Sequence, residues 1–337
     1  METQQQEDEM YMRRCLQLAA NGLLTTKPNP MVGAVIVSGD GRIIGEGFTS
    51  PTGGPHAEVN AFTSVKPKDE PLLSEATIYV SLEPCSHWGH TPPCCDLIIR
   101  KKVKRCVCGC VDPFAKVQGR GIKRMRDAGI EVTVGVLEAE CKDINRRFMT
   151  FNEKKRPYIL LKWAQTENGI IGRHSTAFSQ VANKNVSGSP EARLILSTPF
   201  TTMLSHKLRA ENDAILVGRS TLGADHPSLT TREWSGKSPE RIVLTHHKDA
   251  IPEGFHQFDS IDAVLNHLYE EQKQSLIVEG GANVLQQFID SGMWDEIRIE
   301  TAPITIGFGV KAPTLSKDAT LYNKEEYDGN TICWFRH

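Results

Sequence analysis

His56, Glu58, Cys85 and Cys94 are the residue types from which a catalytic zinc site is built. One imidazole and two thiolates hold Zn²⁺ with a fourth position left for water, whereas a structural site closes all four. A carboxylate two residues after the ligating histidine can carry protons to and from that water. This is the logic of a hydrolytic deaminase. Eight residues lie between Cys85 and Cys94, so the ligands need a loop excursion between them. Cys95 competes with Cys94, because neighbours on a helix point about 100° apart and only one can reach a metal.

The surrounding pattern must position these groups. Residues 10–20 have helical spacing of Met12, Cys15, Leu16 and Ala19, with Glu7, Asp8 and Glu9 at the start. Met31 to Val37 reads as a buried strand, and Arg42 to Phe48 returns from the Gly39-Asp40-Gly41 turn as a hairpin. A helical run follows Pro55, which sets His56 and Glu58 at a helix N-terminus. Thr77 to Leu82 is a strand, the proline-rich 84–93 segment a loop, and Cys94 opens a helix. Strand 104–110, helix 121–128, strand 130–134 and one helix over 137–151 complete an α/β/α layered domain. Cys106, Cys108 and Cys110 alternate along their strand and read as small apolar side chains of a buried sheet face. Cys15 and Cys141 read as core.

Composition excludes several classes. The chain has 337 residues with 39% hydrophobic and 24% charged, which suits a two-domain globular protein. A net charge of -2 without a basic tract argues against nucleic-acid binding. The N-terminus has neither the basic nor the apolar region of a signal peptide, and no apolar run approaches the roughly 18 residues of a membrane span. A cytoplasmic location is expected. Every cysteine except Cys333 precedes residue 142, and the odd total of nine argues for thiols and metal ligands over disulfides.

Pro28-Asn29-Pro30-Met31-Val32-Gly33, His56-Ala57-Glu58-Val59, Leu82-Glu83-Pro84-Cys85-Ser86-His87 and Thr91-Pro92-Pro93-Cys94 resemble the deaminase half of the bifunctional riboflavin-biosynthesis deaminase/reductase family. Asp112-Pro113 and Gly119-Arg120-Gly121 continue the resemblance. It implies a cytidine-deaminase-like domain with one Zn²⁺ on His56, Cys85 and Cys94, and Glu58 as proton shuttle. It also implies substrate contacts at Asn29, His90 and Asp112. Thr49, His90 and Phe114 depart from the residues common in the family, at positions concerned with holding substrate or phosphate.

Glu153-Lys-Lys-Arg-Pro157 reads as a charged linker, dividing the chain into domains 1–152 and 157–337. The second half again alternates strands (158–163, 213–218, 241–245, 275–279, 297–302 and 331–336) with helices (201–211, 261–271 and 283–289). Residues 173–190 are polar and read as a loop over a site. Gly280-Gly281, between a strand and a helix, would let a phosphate approach backbone N–H groups. Such turns are also common without a ligand, and no Gly-x-Gly-x-x-Gly is present.

Lys207-Leu208-Arg209-Ala210, Asp213 to Gly218, Thr221 to Arg232 and Val278-Glu279-Gly280-Gly281 resemble the reductase half of the same family, which is similar to dihydrofolate reductase and uses NADPH. The resemblance implies that Ala164, Thr221, Asp225, Gly280, Gly281 and the following helix line NADPH. It gives Arg209, Leu229, Arg232 and Glu279 to the substrate, with Lys162 in a strand-end cluster beside them. Two arginines suit a phosphate, which a guanidinium grips in bidentate fashion. Surface salt bridging is the alternative for the arginines, and core packing for Leu229. Leu194 to Thr198 stands where the family has Trp-Ile-Thr, and Asn168-Gly169 where Asp-Gly is usual.

The resulting expectation is an α/β protein performing consecutive deamination and NADPH-dependent reduction of phosphorylated pyrimidines. Its expected partners are those small molecules and further copies of the chain, with neither nucleic acid nor membrane. The alternatives are a deaminase with a degenerate C-terminal nucleotide-binding or dimerisation module, a nucleic-acid-editing deaminase, and a purely structural zinc protein.

Overall fold

The computed structural model describes residues 3–88, 92–114, 118–172, 194–247 and 251–337. The chain forms compact units at Met1–Lys155 and Arg156–His337. Glu153 and Lys154, expected in the linker, belong to the last helix of the first unit, and Lys155 leaves it at φ +56°.

The first unit is built in the order α1 (Gln4–Ala19), β1 (Gly33–Val37), β2 (Ile43–Phe48), α2 (Ala57–Ser64), β3 (Thr77–Leu82), α3 (Cys94–Lys101), β4 (Arg105–Cys110), α4 (Arg120–Asp127), β5 (Glu131–Val134), α5 (Glu138–Ile144) and α6 (Arg146–Lys154). Its sheet runs β2-β1-β3-β4-β5, antiparallel through the hairpin and parallel from β3 onward. Helix α1 starts earlier than the apolar spacing suggests, because Thr3 and Gln6 form a reciprocal capping box. Asp8 is buried against the sheet, where it meets Arg105 at 2.7 Å and Tyr79 at 2.9 Å.

A Cβ on Gly33 would meet the Cys15 carbonyl at 1.9 Å, and one on Gly47 the Ala57 carbonyl at 2.4 Å. Gly33 pairs with Phe48, and Gly47 with Ala34, so these glycines point to opposite sheet faces. Helix α1 therefore covers one face and α2 the other, with α5 beside α1 and α3 beside α2. Cys106, Cys108 and Cys110 are fully buried on β4, and Cys15 and Cys141 are core as expected. The single helix expected over 137–151 is broken at Asn145. That side chain accepts from the Met31 N–H and donates to the Met31 carbonyl, both at 2.8 Å, which fixes a non-helical backbone there.

The second unit comprises β6 (Tyr158–Thr166), β7 (Ile170–Gly172), α7 (Pro199–Glu211), β8 (Ala214–Gly218), α8 (Arg219–Asp225), β9 (Glu240–Leu244), β10 (Phe255–Phe258), α9 (Ile261–Glu270), β11 (Ser275–Val278), α10 (Ala282–Asp290), β12 (Glu296–Ala302), β13 (Val310–Lys311), β14 (Thr320–Tyr327) and β15 (Asn330–Arg336). Its main sheet runs β10-β9-β8-β11-β6-β12-β15-β14, parallel through β12 and antiparallel beyond. Leu160 packs with Leu208, Ile215 and Leu229 on the α7 side, and Ile159 and Leu161 pack with Val264, Leu285 and Phe288 on the other. Helix α8 and strands β10, β13 and β14 were not expected from the sequence. The polar loop expected at 173–190 lies outside the described residues. No helix of the described residues is long and apolar enough to cross a membrane.

Candidate active sites

In the first unit His56 is the N-cap of α2, Cys85 follows β3, and Cys94 is the first residue of α3. Their donor atoms converge: His56 Nδ1 lies 3.6 Å from Cys85 Sγ and 3.4 Å from Cys94 Sγ. Tetrahedral zinc with Zn–S near ~2.3 Å and Zn–N near ~2.05 Å requires a nitrogen–sulfur separation of about 3.6 Å. The donor set therefore fits Zn²⁺. Cys85 Sγ also accepts the Cys94 N–H at 3.3 Å, which ties the loop to the helix start. Cys95 is turned away into the core, where burial pushes its thiol up to about 12.

The electrostatics point the same way. Hydrogen bonds from Cys94 and His56 push the Cys85 thiol down to about 4, and the bond to Cys85 pushes His56 up to about 9. The bond with Cys85 and burial push the Cys94 thiol up, so the two sulfurs share one negative charge beside His56, and a divalent cation would let both ionise. Glu58 is buried in the first turn of α2, and desolvation pushes its carboxyl up to about 7. A buried carboxyl that exchanges a proton near neutrality suits general acid–base work.

The remaining residues singled out in this half are placed unevenly. Asp112 is buried, and its Oδ1 accepts the Phe114 N–H at 2.8 Å. Burial raises its carboxyl to about 6, with the charges of Glu83 and Cys85 adding to the effect. Asn29 stands exposed on a turn closed by its N–H to the Thr26 carbonyl at 2.8 Å. Thr49 is buried, with its hydroxyl accepting the Val32 N–H at 3.1 Å, so it secures the β1–β2 end. His90 lies outside the described residues. The sequence reading assigned nothing to Glu83, Ser86 or His87. Ser86 Oγ and His87 Nδ1 are buried without a hydrogen-bond partner among the described atoms, one and two residues after the zinc-ligand position Cys85.

The second unit holds a cavity of about 1480 Å³ at the carboxyl ends of β6, β8, β9 and β11. Ligands of open parallel sheets bind at that end. Its wall brings together Lys162, Ala164, Arg209, Thr221, Asp225, Leu229, Arg232, Glu279 and Gly281. The volume exceeds the ~300–1,000 Å³ of an ordinary ligand site, which suits a dinucleotide and a second molecule together. Gly281, at φ +50°, caps α10 and faces Thr221, so the first N–H groups of that helix border the cavity. This arrangement fits NADPH. Gly280 is not on the wall. A Cβ there would meet the Val217 Cα at 2.6 Å, so its glycine serves packing against β8.

Arg209 makes a buried ion pair, where the sequence offered a surface one. Its Nε and Nη2 donate to both oxygens of Glu279, at 3.1 and 2.7 Å. Lys162 sits in the middle of β6, not at a strand end as expected, because the neighbouring β11 stops earlier and Glu279 follows it at that level. Burial pushes the Lys162 ammonium down, while the Glu279 charge opposes this. Burial pushes Glu279 up, but Lys162 and Arg209 outweigh it and hold the carboxyl below its usual range. Arg232 is exposed, with Nη1 donating to the hydroxyls of Ser228 and Thr230. Its N–H donates to His206 Nδ1 at 3.0 Å, a buried histidine on α7 that the sequence reading passed over. Leu229 is only 2% exposed at φ +52° and belongs to the core cluster. Leu194 to Ser197 also line the cavity, and Thr198 caps α7.

A second group with metal-ligand chemistry, Glu240, His256 and His267, lies elsewhere in this unit. There His267 bonds Glu240 at 2.7 Å and Lys273 stands 3.7 Å from the same carboxylate, so its charge is already met.

Comparison with known proteins places both halves. Residues 5–110 match the family described as the cytidine and deoxycytidylate deaminase zinc-binding region, and residues 157–325 match the RibD C-terminal domain. The riboflavin biosynthesis protein RibD of Aquifex aeolicus is 35% identical, over 90% of this chain and 89% of its own. That of Escherichia coli is 33% identical, over 97% and 98%. The crystal structure of a diaminohydroxyphosphoribosylaminopyrimidine deaminase/5-amino-6-(5-phosphoribosylamino)uracil reductase from Thermotoga maritima superposes with a TM-score of 0.82 at 34% identity, covering 99% of both chains. With its metal-ligand cluster in one half and its nucleotide-sized cavity in the other, this chain belongs to the bifunctional riboflavin-biosynthesis deaminase/reductase family.

Proposed function

We propose that the chain carries out two consecutive steps of riboflavin biosynthesis. The half spanning 1–152 deaminates 2,5-diamino-6-(5-phosphoribosylamino)pyrimidin-4-one hydrolytically. The half spanning 157–337 then reduces the ribosyl chain of the product to ribityl. The observation that carries this reading is the convergence of His56 Nδ1, Cys85 Sγ and Cys94 Sγ beside the buried Glu58.

His56, Cys85 and Cys94 would hold zinc, which would supply an activated water as nucleophile for the amine-bearing ring carbon. Glu58 delivers a proton to the adjacent ring nitrogen and then to the departing amine, and its raised pKa lets it reload at neutral pH. Asp112, Asn29, His87 and His90 hold the substrate. For His87 the support is its unpartnered buried Nδ1.

In the second half NADPH supplies the hydride, and the protein's part is to orient it. Ala164, Thr221, Asp225, Gly281 and the start of α10 hold the cofactor, with Gly280 setting the turn. Lys162, Arg209, Leu229, Arg232 and Glu279 form the substrate end. A cation and carboxylate set at the floor, together with an exposed Arg232, suits a sugar phosphate.

The reading of a deaminase with a degenerate second module is not favoured, because the reductase family match spans 157–325 and the cavity gathers both cation and carboxylate groups. A cytoplasmic location is supported by the odd total of nine cysteines, with Cys85 and Cys94 gathered beside His56 for metal binding and most of the others buried as core thiols. The near-neutral charge supports a small-molecule substrate over nucleic acid. Self-association is part of the reading.

Purified protein given the diaminopyrimidine substrate should release ammonia, and given the deaminated product should consume NADPH. Retained ammonia release with no loss of nicotinamide absorbance would leave only the first activity standing.

A further inference from the structure

Glu83 separates β3 from the zinc-ligand position Cys85 by one proline, yet it ligates nothing. Its side chain is buried and accepts backbone N–H groups from a segment some 30 to 40 residues away. Oε1 takes those of Gly121 at 2.9 Å and Ile122 at 3.3 Å. Oε2 takes those of Gly119 at 2.8 Å and Asp112 at 3.4 Å.

Gly121 and Ile122 are the second and third residues of α4, and its N-cap, Gly119, has no side chain. The N–H groups that an ordinary N-cap serine or aspartate would satisfy are thus satisfied by the residue that follows β3. The approach is close as well. A Cβ on Gly121 would meet the Pro84 carbonyl at 2.3 Å, so glycine is required for α4 to dock on the ligand loop. A single carboxylate therefore ties the Asp112 backbone and the start of α4 to one point.

We propose that Glu83 is a positioning residue of the deamination site, tying Asp112 and the start of α4 to the Pro84-Cys85 ligand position so that Asp112 meets the substrate. This rests on the deaminase reading given above. Glu83 touches neither metal ligand side chains nor reacting atoms. Its effect is exerted on substrate binding through Asp112, and the zinc donor set stands without it.

The test uses the full chain with its zinc. Glu83→Gln removes one acceptor oxygen and sets an N–H₂ group against backbone donors. The expected result is a KM for the diaminopyrimidine raised about tenfold or more with kcat within about threefold, the pattern of lost uniform binding. Zinc content and reduction of the deaminated product stay at wild-type levels. Gly121→Ala keeps the carboxylate but drives α4 from Pro84, and is expected to raise KM in the same way. A KM within twofold of wild type in Glu83→Gln overturns the proposal. So does a loss of deamination that merely tracks loss of zinc, since that is a structural role. Wild type assayed alongside keeps the failures apart: a wild type that releases no ammonia overturns the deaminase reading itself.

Discussion

Arg209 closes a two-point fork on Glu279, with Nε and Nη2 at 3.1 and 2.7 Å from the two carboxylate oxygens on the wall of the C-terminal cavity. The guanidinium is therefore held in place by Glu279, and its Nη1 donates further to the Thr230 carbonyl at 3.4 Å. Glu279 in turn is shared with Lys162, which has its own charge disfavoured by burial.

Removing Arg209 takes both donors of the fork from the buried Glu279 and leaves Lys162 as the main cation that opposes its charge. Arg209→Met is expected to destabilise the second unit by about 3 kcal/mol and abolish reduction, while ammonia release continues. Arg209→Lys restores the charge but not the fork and recovers only part of both. Thermal denaturation and NADPH oxidation, followed alongside ammonia release, check the outcome.

Zinc binding distinguishes adjacent cysteines. Cys94→Ser should lower bound zinc to near zero and end deamination, whereas Cys95→Ser should keep both, because its thiol faces the core. Stripping zinc with a chelator should abolish ammonia release and leave reduction of the deaminated product intact. Metal analysis of the purified variants supplies the measurement.

Glu58→Gln keeps the shape of the carboxyl but cannot exchange a proton. Deamination is expected to fall by about 10²–10⁴-fold with zinc still bound. Retained activity at wild-type zinc content would remove Glu58 from the proton path.

Asp112 offers a pH-dependent stability test. Its folded pKa of about 6 lies above the ordinary 3.8, chiefly because of burial. Between these values the unfolded carboxyl ionises while the folded one keeps its proton. Stability is therefore lost as pH rises from 3.8 through 6, and the loss is complete above that. Asp112→Asn should thus be more stable than wild type at pH 7.5, by about 3 kcal/mol, with most of that difference gone near pH 4. Its substrate affinity should fall. Denaturation midpoints at both pH values decide the matter.

Much of this protein was determined by its sequence alone, wherever the physics is local. The spacing of His56 and Glu58 at a helix start, the apolar strands and the glycine turns act over a few residues and were legible as such. Tertiary structure decided what depends on distant partners. Residue type alone does not separate Cys94 from Cys95, and the structure turns the first toward His56 Nδ1 and the second toward the core and Asp96. The break at Asn145 depends on Met31, 114 positions away, and the Glu83 clamp on a segment up to 39 positions away. Strand β14 is almost wholly exposed and polar, so no alternation marked it, and only pairing with β15 makes it a strand. Lys162, Arg209 and Glu279 were visible as chemistry. That they share one buried charge network follows from where β11 ends beside β6, which a chain read residue by residue does not contain.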